Sequence, residues 1–317
     1  MLEKFTARLA HWMILLIQAL PLKFVARLGR AGGVIAWFLD ARHRKVMLEN
    51  LTACFPQKSA REIRKIAHEN MRRLGENYAC AVKTAAMTVE EVGEVCEIEG
   101  SETIRRLVGP GLGKNCVMAI GHFGNFELYA MLANKATGLK PAATYRALNQ
   151  PALNELMQMI RERSGCVFFE RRSDADALKN ALNEGGMLLG LLSDQHSGNS
   201  GVWGPFLGRN CSTTAAPAVL SLRYDAVLCT AICYRTALAR WKIEVGDSIT
   251  VREGREARSV EAITADINRA FEVAVLRDPA NWFWVHNRWK TPKIKQSRTG
   301  SREATLQGDP VMGTGSL

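Results

Sequence analysis

The sequence predicts an α/β domain: a single mixed, mainly parallel sheet flanked by helices, behind a helical N-terminal region. Two observations carry the prediction. From residue 95 onward, short apolar runs at 95–99, 115–120, 142–145, 166–169 and 187–192 alternate with helical stretches at 101–108, 125–136, 151–164 and 174–184. Strands alternating with helices of this length build βα units around a parallel sheet. Before residue 95, helix-start signals dominate instead. Ser59-Ala-Arg-Glu62 is a capping box opening a long helix to about Lys83, and Thr88-Val-Glu-Glu91 opens a shorter one.

The remaining elements follow in order. Asn149-Gln-Pro151 starts the helix at 151, with proline at the first turn, where its missing N–H is not needed. Residues 197–208 are Gly-rich and read as a loop, and 214–223 as a helix. Residues 226–234 and 241–245 read as a hairpin or adjoining strands, and 259–277 as an amphipathic helix stopped by Asp278-Pro279. From about residue 293 the chain is rich in Lys, Ser, Thr and Gly with little to bury, and disorder is expected there. The chain thus divides into 1–45, basic apolar helices; 46–292, the α/β domain; and 293–317, a tail. No internal repeat is present.

A hydrophobic content of 47% over 317 residues allows a large core. The eight cysteines are scattered without a C-x-x-C pair and mostly sit in apolar runs, the pattern of reduced core cysteines. No standard metal-ligand spacing occurs, so no metal is expected. The net charge of +11 is concentrated at the N-terminus, where residues 1–73 hold 14 Lys/Arg against five Asp/Glu. No recognisable nucleic-acid motif accompanies it, and nucleic acid is not an expected partner. Apolar bulk does: 9–22 is a run of 14 residues without a formal charge, shorter than the ~20 that cross a bilayer. Trp12, Trp37 and Phe38 lie among Lys4, Arg8, Lys23, Arg27, Arg30, Arg42, Arg44 and Lys45, a composition suited to an anionic membrane surface. The alternative is a basic amphipathic helix packed on its own core.

Chemistry concentrates in Gly121-His122-Phe123-Gly124-Asn125-Phe126-Glu127, directly after the apolar run Cys116-Val-Met-Ala-Ile120. In a straight helix, positions five apart point about 140° from each other. His122 and Glu127 meet only if the backbone bends between them, which Gly121 and Gly124 permit. An imidazole oriented by a carboxylate is a general base. The carboxyl end of a strand is also where α/β sheets place their sites, and the N–H groups of 124–126 would face an oxyanion from a helix N-terminus. A second cluster, Asp194-Gln195-His196, follows another strand, either as an acid/base pair or as residues shaping the loop through hydrogen bonds to backbone. Arg146 ends the run Ala143-Thr-Tyr-Arg146, either to grip an anion or as a solvated charge. Pro110-Gly-Leu-Gly-Lys114 is a turn and not a P-loop, because its glycine spacing is short and Asn115 stands where Ser or Thr is needed.

In their order these blocks resemble the bacterial lipid A biosynthesis acyltransferase family (lauroyl/myristoyl type), within the lysophospholipid acyltransferase superfamily. The resemblance covers roughly residues 5–290. It runs from the basic apolar N-terminus and Asn50-Leu-x4-Pro56 through His122–Glu127, Tyr145-Arg146 and Asn149-Gln-Pro151. It continues over 174–186, Asp194-Gln-His196, Pro205-Phe-Leu-Gly208 and Ser212-Thr-Thr214, and ends with Pro279 and Trp282-Phe-Trp-Val-His-Asn-Arg-Trp-Lys290.

The resemblance implies a glycerolipid acyltransferase-like sheet and an O-acyltransferase of lipopolysaccharide biosynthesis at the cytoplasmic face of the inner membrane. Its donor would be an acyl thioester on acyl carrier protein or CoA, its acceptor a lipid hydroxyl, and no cofactor is implied. His122 would be the general base and Glu127 its orienting carboxylate. Asn125, Arg146, Asp194 and Gln195 are the expected substrate-contacting residues. With no cysteine or serine in the motif, direct transfer is expected over a covalent intermediate. Trp282, Phe283, Trp284 and Trp289 either line the acyl path or pack the core. The chain departs from well-known members at Asp194-Gln-His (Asp-His-Asp in those) and Asn125-Phe-Glu (Asn-Trp-Glu). The acceptor therefore stays open between a lipid A precursor and another lipid, such as a lysophospholipid, and a noncatalytic membrane scaffold is the third reading.

Overall fold

A computed structural model describes residues 2–108, 112–147 and 150–290. The expected tail at 293–317, Asn149 and part of the turn at 110–114 lie outside the described residues. Four helices come first: α1 (Leu2–Ala19), α2 (Leu22–Leu39), α3 (Ala41–Cys54) and α4 (Ala60–Thr84). Pro21 sits at the α2 N-cap, and the Asp40 carboxylate caps α3 by accepting from the His43 N–H at 3.0 Å. Ser59 and Glu62 form the expected capping box of α4, and Thr88 and Glu91 do the same for α5 (Val89–Gly93). Among the described residues no helix is long and apolar enough to cross a membrane.

Helix α2 lies flush on α4, and glycine makes this possible. A Cβ on Gly75 would collide with the Gly29 carbonyl oxygen, and one on Gly33 with that of Met71. Beside this contact, fully buried Glu76 accepts from Arg30 of α2 at 3.0 Å. It also accepts from Arg235 and the Ala239 N–H across the core, both at 2.9 Å. The second N-terminal helix is thus built into the α/β body, and the expected boundary at residue 45 falls inside α3.

The alternating region forms β1 (Cys96–Glu99), α6 (Ser101–Val108), β2 (Cys116–Ile120), α7 (Leu128–Thr137), β3 (Lys140–Tyr145), α8 (Pro151–Glu162), β4 (Val167–Glu170), α9 (Ala175–Glu184) and β5 (Met187–Leu192). Then come β6 (Val202–Phe206), β7 (Arg209–Thr213), α10 (Ala216–Arg223), β8 (Val227–Ala237), β9 (Arg240–Val245), the two-residue strands β10 (Arg252–Glu253) and β11 (Glu256–Ala257), and α11 (Val260–Arg277). The main sheet has the order β1-β9-β8-β2-β5-β3-β4, parallel except for the β8–β9 hairpin. Side chains alternate along the central strand. Val117 and Ala119 enter the core beneath α3, α4 and α11, while Cys116, Met118 and Ile120 face α6 and α7.

One expectation is corrected. The Gly-rich segment read as a loop contains β6 and β7, an antiparallel hairpin. Its two-residue turn, Leu207-Gly208, has positive φ at both positions (51° and 72°), as a type I′ turn requires. Gly204 and Pro205 interrupt the alternation in β6, and leucine gives no turn signal, so the sequence conceals it. The helix expected from 125 starts at Leu128, after the glycine turn.

The α2–α4 contact yields a stability prediction. Gly75→Val should destabilise the protein by about 3 kcal/mol, the upper range for overpacking a close contact. Gly32→Ala serves as the control, since a Cβ there meets nothing within 4 Å. Equal urea midpoints for Gly75→Val and wild type would show that the helices do not meet this way.

Candidate active site

Strand register assembles the site. Ile120 at the end of β2 pairs with Leu192 at the end of β5. The residues two positions beyond each, His122 and Asp194, therefore emerge side by side at the carboxyl edge of the sheet, where open α/β sheets bind ligands. The Ser193 N–H donates to the Ile120 carbonyl at 2.9 Å and carries the pairing past the strands. Asp194 accepts from the His122 ring through Nδ1 at 2.7 Å and from the His122 backbone N–H at 2.8 Å. The Trp282 indole N–H adds a third bond at 2.8 Å.

Asp194 is only 1% exposed. Burial alone would raise its pKa, but the His122 charge and hydrogen bonds, with Trp282, outweigh it and hold the carboxyl at about 2. The carboxylate fixes the imidazole with Nδ1 toward it and Nε2 toward the cavity. Gln195 Nε2 lies 3.4 Å from that nitrogen. Phe126 and Phe283 pack against the ring, with centroids at 4.9 and 5.5 Å.

The expected pairing of His122 with Glu127 is not formed. Gly124, at φ 51°, turns the chain so that Glu127 becomes the N-cap of α7, and its carboxylate meets Arg161 of α8 at 2.9 Å. Asp194, expected as a substrate contact, instead lies buried and holds the His122 ring, and Arg161, whose partner is 34 residues away, was not foreseen. Of the amides expected to face an oxyanion, that of Gly124 donates to the Asn281 carbonyl at 3.2 Å. Asn125 is buried, gives Nδ2 to Thr84 Oγ1 at 3.4 Å and leaves Oδ1 without a partner. Arg146 is exposed at the end of β3.

Two cavities meet at His122. The larger, about 690 Å³, runs across the sheet from Phe168 of β4, over Leu188 of β5 and Met118 of β2, to Ile243 of β9 and Ile98 of β1. Crossing seven strands corresponds to about 29 Å. Arg146, Arg161 and Arg171 line it at the β3–β4 side. The smaller, about 250 Å³, lies between α4 and α8, and both are lined by His122, Phe126, Glu127 and Arg161. Of the C-terminal aromatic group, only Phe283 lines a cavity. Trp282, Trp284 and Trp289 are buried in the core, with Trp282 and Trp284 centroids 4.7 Å apart.

The Asp194 loop is held from behind by buried groups. The Arg288 guanidinium, fully buried, donates to the Gln195 and Ser212 carbonyls and to Thr213 Oγ1, each at 2.6 Å. His286 Nε2 accepts the His196 backbone N–H at 3.0 Å. All eight cysteines are unpaired and seven are buried. Among the described residues, no group of three or more His, Cys, Asp or Glu is placed to hold a metal.

Burial lowers the His286 pKa from 6.5 to about 4, against a smaller raising effect from Asp194. The unfolded imidazole takes up a proton that the folded one resists, so stability should fall as pH drops from about 6.5 toward 4. His286→Gln keeps an acceptor without titrating. Urea midpoints measured between pH 4 and 7 should depend less on pH in this variant, and an unchanged slope would assign the effect elsewhere.

The sequence profile described as "Bacterial lipid A biosynthesis acyltransferase" matches residues 1–291. The lipid A biosynthesis palmitoleoyltransferase of Escherichia coli K12 is 27% identical over 282 residues, 88% of this chain and 89% of that one. The lauroyltransferase of the same strain is 24% identical over 307 residues, covering 92% and 96%. A lipid A biosynthesis acyltransferase of Haemophilus influenzae is 22% identical over 284 residues, covering 87% of each. Matched by that profile along nearly its whole length, the chain belongs to the bacterial lipid A biosynthesis acyltransferase family and is an acyltransferase.

Proposed function

We propose that the protein moves a fatty acyl chain from an acyl thioester, on acyl carrier protein or CoA, to a hydroxyl of a lipid A precursor, with His122 as general base. The observation that carries this reading is His122 itself, its Nδ1 fixed by Asp194 and its Nε2 open to both cavities. The acyl chain of the donor lies in the long cavity across the sheet, with its thioester at His122. Nε2 takes the proton of the acceptor hydroxyl as the oxygen attacks the thioester carbonyl carbon. The tetrahedral oxyanion collapses by breaking the C–S bond, and the imidazolium gives its proton to the leaving sulfur, so the thiol departs and His122 returns to its neutral form. Asp194 stabilises that imidazolium.

Glu127 serves the reaction through Arg161. The carboxylate holds the guanidinium at the junction of the cavities, where it stabilises the oxyanion. Arg146 and Arg171 receive anionic groups of the substrates at the mouth. Two facts favour direct transfer. Cys166, which lines the larger cavity, has its thiol pushed to about 12 by burial and is a poor nucleophile at neutral pH. Nε2 faces Gln195, not a hydroxyl or thiol of the chain.

The work is done at a membrane surface. α1 exposes Leu9, Trp12, Met13 and Leu16, and α2 exposes Phe24, Leu28, Phe38 and Leu39. Lys23 and Arg27 are exposed among them. This pattern suits a protein seated on anionic lipid with its apolar side chains in the interface.

Two tests follow. His122→Ala should lower kcat by about 10²- to 10⁴-fold, the range for loss of general base catalysis. Asp194→Asn, which disturbs the tautomer, should fall in the same range. Acyl products resolved by mass spectrometry are the readout, and wild-type rates in both variants would remove the enzyme mechanism. For the membrane, Trp12→Asp with Leu16→Asp should weaken partition into phosphatidylglycerol vesicles at least about tenfold. Unaltered co-sedimentation would place the membrane contact elsewhere.

A further inference from the structure

The smaller cavity is almost wholly hydrocarbon. Leu74, Tyr78 and Ala81 of α4, with Ala85 at its C-cap, face Met157 and Ile160 of α8. Polar groups gather at the inner end, where His122, Glu127 and Arg161 are shared with the larger cavity. There too lies Asn125, 1% exposed, with an Oδ1 that has no hydrogen-bond partner. A buried acceptor left unpaired is costly, and a donor on a bound molecule would satisfy it.

The outer wall leads to α1. The Gln18 side chain donates to the carbonyl of Val82, which lines the cavity, at 3.2 Å. Lys83 Nζ donates to the Gln18 carbonyl at 2.5 Å, and α1 also packs on α8. Both helices that wall the cavity therefore carry α1, whose outer side exposes Trp12 at 70% and Leu16 at 63%. Tyr78 and Met159, at 51% and 48%, continue the exposed apolar surface onto α4 and α8.

We propose that the smaller cavity holds a hydrocarbon chain already present on the acceptor lipid, which enters sideways from the membrane surface past α1. This rests on the acyl-transfer reading. Donor and acceptor chains then occupy separate cavities that join at His122, and the acceptor hydroxyl lies within reach of Asn125 Oδ1. Each methylene of the acceptor chain buried there raises affinity about fourfold. The donor chain is the poorer occupant: the long cavity already offers it a path, with arginines at the mouth for a charged carrier.

The test is photo-crosslinking of the full-length protein in phosphatidylglycerol vesicles. The probe is a lipid A precursor with a diazirine at the end of one acyl chain, used without acyl donor so that nothing turns over. Crosslinked peptides should map to residues 74–85 and 157–160. Crosslinks along the larger cavity, at Ile98 or Ile243, or confined to the outer side of α1 and α2, would overturn the proposal. In turnover, wild type should favour the acylated acceptor over one stripped of its chains by at least about tenfold in kcat/KM, and Ala81→Trp should erase that preference. Equal use of both acceptors by wild type would also overturn it. Crosslinking needs no catalysis, so a correct map without product would leave the cavity assignment standing and remove only the acyl-transfer reading.

Discussion

The molecule is organised around a carboxylate out of water. A buried charge persists only where its lone pairs are met by donors. Asp194 meets this condition with three donors from two distant parts of the chain: the ring and backbone of His122 and the indole of Trp282. Satisfying it fixes the end of β5 against the end of β2 and draws the segment after α11 over both. The asparagines then explain themselves. Asn70 Nδ2 donates to the Ala280 and Trp282 carbonyls, and Asn50 Nδ2 to those of Trp284 and His286, so α3 and α4 clamp the strap that carries Trp282. Asn281 receives the Gly124 N–H and gives Nδ2 to the Cys233 carbonyl, pinning the glycine turn from the other side.

Arg288 is the counterpart of Asp194. It is fully buried, and it donates to two carbonyls and a hydroxyl rather than to a carboxylate. Burial lowers its pKa, while the nearby Asp194 and Cys211 oppose that effect. The guanidinium thus supplies positive potential behind the Asp194 loop and ties that loop to β7.

The sheet was legible because its strands are short, apolar and alternate with helical stretches, and α4 and α5 were legible from their capping boxes at Ser59–Glu62 and Thr88–Glu91. His122 was legible from its place after β2. Its partner was not, because the choice between Glu127 and Asp194 is decided by the register of β2 on β5, a contact between residues 72 apart. Local spacing favoured the carboxylate five positions away, and the glycine turn sent that one to Arg161 instead. The hairpin at 202–213 was hidden by Gly204, Pro205 and an atypical turn. The tryptophans at 282, 284 and 289 show the limit of composition: residue type was compatible with a ligand path or a core, and packing chose the core.

The strap bearing Trp282 and Arg288 has a consequence for biosynthesis. Trp282 lies 88 residues after the carboxylate it braces, and Arg288 lies 93 residues after the carbonyl of Gln195 that it holds. On the ribosome, α1 and α2 emerge well before the segment that braces Asp194. A nascent chain can therefore expose these apolar helices while His122 is still unaligned. The geometry around His122 is complete only once the strap after α11 has emerged, so the apolar surface is made long before the site behind it.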